Sequence, residues 1–211
     1  MTVDEPRTID AGKSAFRERR REAILDAAED LFIEQGYDQT ILAEIVRRSG
    51  GSLATLYELF GNKQGLLHAI AIRWVDRTKA QRAERDNAAE RSNREILMSY
   101  VRSECALSQS PRTTALMRML VSESLSDRSF AIRMYHEVRR PFIDELSSLF
   151  AAWAAAGNAL IEDPEATAQL FISIISGDTV LGRLFGVDEE FLDEEEILWR
   201  LQPFFGHFEI S

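Results

Sequence analysis

The chain has 211 residues, room for one large domain or two small ones sharing a core. With 45% apolar and 28% charged residues it is not a disordered chain. No stretch supplies the roughly 18 uncharged apolar residues of a membrane span, because the most apolar run, Leu149 to Ile161, is broken by Gly157 and Asn158. The acidic N-terminus (MTVDEPRTID) has no hydrophobic region behind it, so a cytoplasmic location and no membrane partner are expected. Cys105, the single cysteine, excludes an intramolecular disulfide and a multi-cysteine metal site, and is expected to be a small buried apolar residue.

The formal charge of −10 would repel nucleic acid if it were spread evenly. It is not. Lys13, Arg17, Arg19, Arg20 and Arg21 lie together with one acid, Glu18, whereas Asp188 to Glu196 holds seven acids and no base. At a Debye length of about 8 Å, a local basic face binds DNA even on an acidic molecule. The other reading of both runs is solvated helix ends.

In chain order, Ile24, Ala27, Ala28, Leu31 and Phe32 recur at helical spacing up to Gly36, which predicts an amphipathic helix over Arg17 to Gln35. Thr40 is a cap candidate for a short second helix with Ile41, Ile45 and Val46 inward, ending at Ser49-Gly50-Gly51. A third helix starts after Ser52, carries Leu56 and Phe60 inward and stops at Gly61. Asn62 then caps a long fourth helix with Leu66, Ile70 and Trp74 on one stripe, whose charged end, Thr78 to Arg91, reads as solvated. Ser92 with Glu95 forms a capping box, Ser110-Pro111 and Asp163-Pro164 mark two more starts, and Asp193 with three glutamates a last one. Pro141 falls inside the apolar-periodic stretch Phe130 to Trp153, so that helix must kink or break near Arg140. The fold class is therefore all-α, with an N-terminal domain over residues 18–78 joined by the long fourth helix to a C-terminal helical domain over 79–211.

Two short helices around a glycine turn, the second opening with small and polar residues, form the pattern of a helix-turn-helix, though a hairpin that only packs has the same outline. The wording decides further. Ile24-Leu-Asp-Ala-Ala, Leu31-Phe32, Gly36-Tyr37, Thr40, Thr55-Leu56-Tyr57, Phe60, Asn62-Lys63 and Leu66-Leu67 resemble the N-terminal domain of the TetR family of transcriptional regulators over roughly Glu18 to Thr78. Asp163-Pro164 to Gly186, with Gly177-Asp178, is similar to the subgroup with AefR-like C-terminal domains.

The resemblance implies a sequence-specific DNA-binding regulator, normally a repressor. It would be a homodimer on a palindromic double-stranded operator, with recognition helices about 34 Å apart, released by a small-molecule effector and needing no other cofactor. It implies that Thr40 and Ser52, at helix N-termini, help grip phosphates, although capping alone also explains them. Tyr57 and Lys63 would reach the backbone; Leu53, Ala54 and Thr55 would read bases through thymine methyls and one hydroxyl; and Arg17, Arg20 and Arg21, with Arg19, would form an arm for phosphates or a narrow minor groove. Three positions depart from family habit: Gly51, Leu53 and Leu59. Glu58 puts a negative charge on the recognition helix, for which pairing with Arg47 or Arg48 is the favoured role.

In the family the C-terminal region both dimerises and holds a ligand. The candidates for the dimer interface are Phe171, Ile175, Leu184, Ile197, Leu201, Phe204 and Phe205, with intrachain core as the alternative. Met98, Val101, Arg102, Cys105, Met117, Leu120, Met134, Tyr135, Phe142 and Asp178 are pocket candidates, and core is again the competing use. Catalysis is not expected, nor a metal: His68, His136 and His207 lie far apart, and no phosphate loop or nucleophile elbow occurs. The rival function is a helical small-molecule-binding or interaction protein that has lost specific DNA binding.

Overall fold

The computed structural model describes residues 7–86, 91–157, 159–177, 179–186 and 193–211, among which there are helices and connections but no strand. Among the described residues no helix is long and apolar enough to cross a membrane. The chain divides into two compact units, Met1–Ala71 and Ile72–Ser211.

The first unit contains α1 (Arg7–Gln35), α2 (Leu42–Ser49), α3 (Leu53–Phe60) and the start of α4 (Lys63–Asp86). Helix α1 begins at Arg7 rather than at Arg17, because its first turns carry no apolar period to announce them and the side chains of residues 14–19 are exposed. The expected inward stripe is present: Ile24, Leu31, Phe32, Ile45, Leu56, Leu66 and Ile70 are at most 4% exposed. Each such side chain contributes about 1.5–3 kcal/mol by leaving water. Ile41 differs from expectation. It takes the extended N-cap position of α2 (φ −104°, ψ 144°) and is 61% exposed, so α2 turns Ile45 rather than Ile41 into the core.

The second unit holds the rest of α4, then α5 (Asn93–Ser108), α6 (Pro111–Ser126), α7 (Arg128–Met134), α8 (Arg140–Ala155), α9 (Pro164–Ser176), α10 (Thr179–Phe185) and α11 (Glu194–Phe208). The local start signals all act as written in the sequence. Ser92 and Glu95 close a capping box, and the side chains of Ser110, Asp163 and Asp193 accept from backbone N–H groups of the helices they open. The α-helical stretch is interrupted next to Pro141, as expected: α7 ends at Met134, and a π turn, Tyr135–Arg139, leads into α8 and takes up the register that a ring without an N–H disturbs.

The core of this unit is shared by α5, α8, α9 and α11. Phe150, Phe171 and Phe204 meet in it with ring centroids 5.6–6.3 Å apart. The residues expected at a dimer interface therefore need correction. Phe171, Ile175, Ile197, Leu201, Phe204 and Phe205 are at most 4% exposed, since α8 and α5 of the same chain cover the apolar faces of α9 and α11, and Leu184, on α10, is half-buried.

Two polar ties fix the helices around that core. Arg140 of α8 holds Glu165 of α9 through two bonds of 2.6 and 3.1 Å, which keeps the Glu165 carboxyl below the usual carboxylate range. Arg82 of α4 is buried, against the expectation of a solvated helix end. Its guanidinium lies 4.6 Å from the Tyr100 ring and donates to Glu145 of α8 at 3.0 Å, and the Tyr100 hydroxyl donates to the same oxygen at 2.7 Å.

Candidate nucleic-acid interface

Helix α3 is built to present one face. Ser52, extended at φ −127° and ψ 153°, accepts the Thr55 N–H at 3.1 Å and shares a hydrogen with the Thr55 hydroxyl at 2.9 Å. Leu56 is fully buried and Phe60 half-buried, which leaves Leu53, Ala54, Tyr57 and Glu58 as adjacent exposed columns. The helix opens after a turn at Gly50, whose φ of +71° is a left-handed conformation open to glycine at little cost.

Several of the arginines expected to touch DNA already have partners in this unit. Arg20 donates to the carbonyls of Ser49 and Gly50 at 3.2 and 2.8 Å, closing the negative end of α2; its guanidinium is thus a C-terminal clamp and not a free arm. Arg21 lies between Glu18 and Glu22 at 3.5 and 3.0 Å. Arg17 pairs with Glu58 at 3.2 Å, so the acid of the recognition helix does have a basic partner, but from α1. Arg47 and Arg48 are engaged by Glu44 and Glu34, the second as a two-bond fork of 2.6 and 2.7 Å. The exposed pair Arg17–Glu58 is worth little to stability and opens at small cost.

Thr40 also needs correction. It is 1% exposed; its hydroxyl donates to the Gly36 carbonyl at 2.8 Å, lies 3.2 Å from that of Leu31 and accepts from Gln35 at 3.3 Å. With N-cap geometry at Ile41, Thr40 is a buried clip of the α1–α2 turn and neither a cap nor a phosphate ligand. Replacing it with valine, which keeps the shape, should cost about 1–3 kcal/mol by taking its donor from the part-buried Gly36 carbonyl. Urea unfolding of the whole chain measures this, and unchanged stability would show that the hydroxyl is not needed there.

Lys63 opens α4. Its ammonium donates to the Asp38 carbonyl at 3.2 Å and lies 4.5 Å from the Tyr37 ring centroid, so its place has a folding reason beside its charge. Asn62 accepts the Gly65 N–H at 2.7 Å, as its capping position predicts. Gly65 itself carries no signal in the sequence, yet a Cβ built there would stand 1.9 Å from the Phe60 carbonyl oxygen.

The described pocket candidates fall in different surroundings. Met98, Val101 and Cys105 are buried in the core of the second unit with Phe142 against it. Met134 is buried while Met117 and Leu120 are half-buried, all three outside that cluster. Arg102 is exposed and paired with Glu194 at 3.1 Å, Tyr135 is 48% exposed, and Asp178 lies outside the described residues. Burial and the acids Glu194 and Glu104 push the Cys105 thiol above its ordinary value, as suits a packed residue and not a reactive one.

Comparison with known proteins bears on both units. Residues 24–70 match the profile described as bacterial regulatory proteins, tetR family. Residues 95–199 match that of the AefR-like transcriptional repressor C-terminal domain. The chain belongs to the TetR family of transcriptional regulators. Among curated TetR-family relatives, it is 33% identical to the HTH-type transcriptional repressor ComR of Escherichia coli over 47% of this chain and 48% of ComR. It is 31% identical to the regulator HbdR of Aromatoleum over 55% of this chain and 51% of HbdR. The chain thus spans about half the length of the curated relatives it matches. A solved TetR-family regulator from Mesorhizobium loti shares the fold with a TM-score of 0.75 at 18% identity, over 91% of this chain and 98% of that one.

Proposed function

We propose that the protein is a sequence-specific DNA-binding repressor that works as a homodimer on a near-palindromic operator and is released by a small-molecule effector. The observation that carries this reading is the face of α3: within the matched residues 24–70, a capped helix turns Leu53, Ala54, Tyr57 and Glu58 to solvent while Leu56 anchors it. Its first turn meets base edges, and Tyr57, 52% exposed, extends a hydroxyl to the backbone.

Dimerisation is assigned to the exposed stripes of α9 and α11. Leu170 is 47% and Trp199 75% exposed; Pro203 and Gly206 continue the α11 stripe with little bulk, allowing close approach of a second copy. A groove of about 700 Å³ lined by Leu160, Ala166, Leu170, His207 and Phe208 adjoins both stripes. An effector that binds the second unit more tightly in the conformer that does not fit DNA weakens DNA binding, by at most that difference in affinity.

Selection of bound duplexes from a random pool, followed by affinity for the winner and for scrambled DNA across a salt series, tests the proposal. A palindrome should emerge, preferred at least about a thousandfold and bound with a steep salt slope. Tyr57→Ala should weaken selected and scrambled DNA alike by roughly tenfold, as loss of a backbone contact does. A pool without a winner would favour the reading in which specific DNA binding has been lost.

A further inference from the structure

We infer that the first turn of α3 reads its operator through thymine methyl groups, so that each half-site is specified by T·A pairs facing Leu53 and Ala54. The inference rests on the DNA-binding function proposed above and names the feature of the DNA that this chain recognises.

Base pairs in the major groove are told apart by donors, acceptors and one apolar group, the C5 methyl of thymine. Guanine and adenine are selected by side chains that donate to N7, and no arginine, lysine, asparagine or glutamine occurs in α3. The remaining polar side chain of the first turn is Thr55. It is half-buried, and its hydroxyl lies 2.9 Å from that of Ser52, drawn into the N-cap of the helix. The acid of the second turn, Glu58, lies outside the first turn and can only accept, so it cannot select a purine through N7. What stands exposed in the first turn is hydrocarbon: Leu53, 41% exposed, and the Ala54 methyl beside it. The small Ala54 side chain lets the helix come close to the groove floor, and Leu53 then reaches the adjacent step.

Uracil in place of thymine removes this methyl and leaves every hydrogen-bonding group unchanged. In a scan of the selected duplex, one thymine at a time, affinity of the full-length protein should fall about fourfold at one or two positions per half-site, the worth of one buried methyl. Changed in both half-sites together, the same position should cost about fifteenfold. The Leu53→Ala variant, altered at an exposed position, should bind thymine and uracil duplexes with more nearly equal affinity. A flat scan with the selected duplex still bound tightly overturns methyl readout and leaves the DNA-binding function standing. Sensitivity that persists undiminished in both Leu53→Ala and Ala54→Gly overturns the assignment to this turn. A pool that yields no selected duplex overturns the DNA-binding function and this inference with it.

Discussion

Replacing Trp199 by glutamate is expected to leave a folded monomer whose affinity for the full palindrome is at least about a hundredfold lower. Trp199 is 75% exposed, so its removal opens no cavity, while its neighbours Ile197 and Leu201 keep α11 seated in the core. Exposed tryptophan of this size is uncommon on a lone surface, and tryptophans are enriched among residues that dominate interfaces. A glutamate at the same place has to be desolvated without a partner for two copies to meet. Loss of dimerisation then removes the effective concentration that one bound recognition helix gives the other, a factor of about 10²–10⁴. Sedimentation equilibrium measures the mass, and binding to a palindrome beside a single half-site separates avidity from contact: half-site affinity should be unchanged. A variant that stays dimeric would move the interface to another exposed apolar group, such as Leu125, Ile132 and Phe185.

What the sequence disclosed was local, and what it hid depended on distant partners. The capping box at Ser92, the proline starts at Pro111 and Pro164 and the acid cap at Asp193 are legible because donor and acceptor lie within three residues of each other. Arg82 reads as solvated because its partner Glu145 stands 63 residues further on, and no periodicity links the two. Phe171, Phe204 and their neighbours show an apolar face, but the covering helix, α8, is specified elsewhere in the chain, so interface and core look alike in one dimension. At the candidate site the frame of α3 follows from Ser52, Leu56 and Gly61, whereas the partner of Glu58 does not: Arg17 reaches it from α1, 41 residues away. Thr40 illustrates the limit of cap signals. A hydroxyl before a helix caps it only if the chain is extended at that residue, and here that conformation falls on Ile41.

The substitution Gly65→Ala should have the largest effect on the first unit. Elsewhere inside a helix, alanine in place of glycine gains up to about 1 kcal/mol, so residue type alone predicts stabilisation. At Gly65 the geometry reverses the sign. Helix α3 ends at Phe60, Gly61 turns the chain at φ +74° and Asn62 caps α4 at once, so that the third residue of α4 passes directly over the last carbonyl of α3. A Cβ there would lie 1.9 Å from the Phe60 oxygen and 3.1 Å from its carbon, and both atoms are backbone that no rotamer change can move away. Relief requires tilting α3 away from α4, which also pulls on Leu56 in the core and displaces Leu53 and Tyr57 from their presented face. A cost of about 3 kcal/mol is expected, the upper part of the range for overpacking, together with loss of preference for the selected duplex. Thermal unfolding and duplex affinity measured on one preparation test both halves of the argument. An alanine variant that is as stable as the parent and still selective would mean that the α3–α4 turn has slack, and that the presentation of α3 does not depend on this close approach.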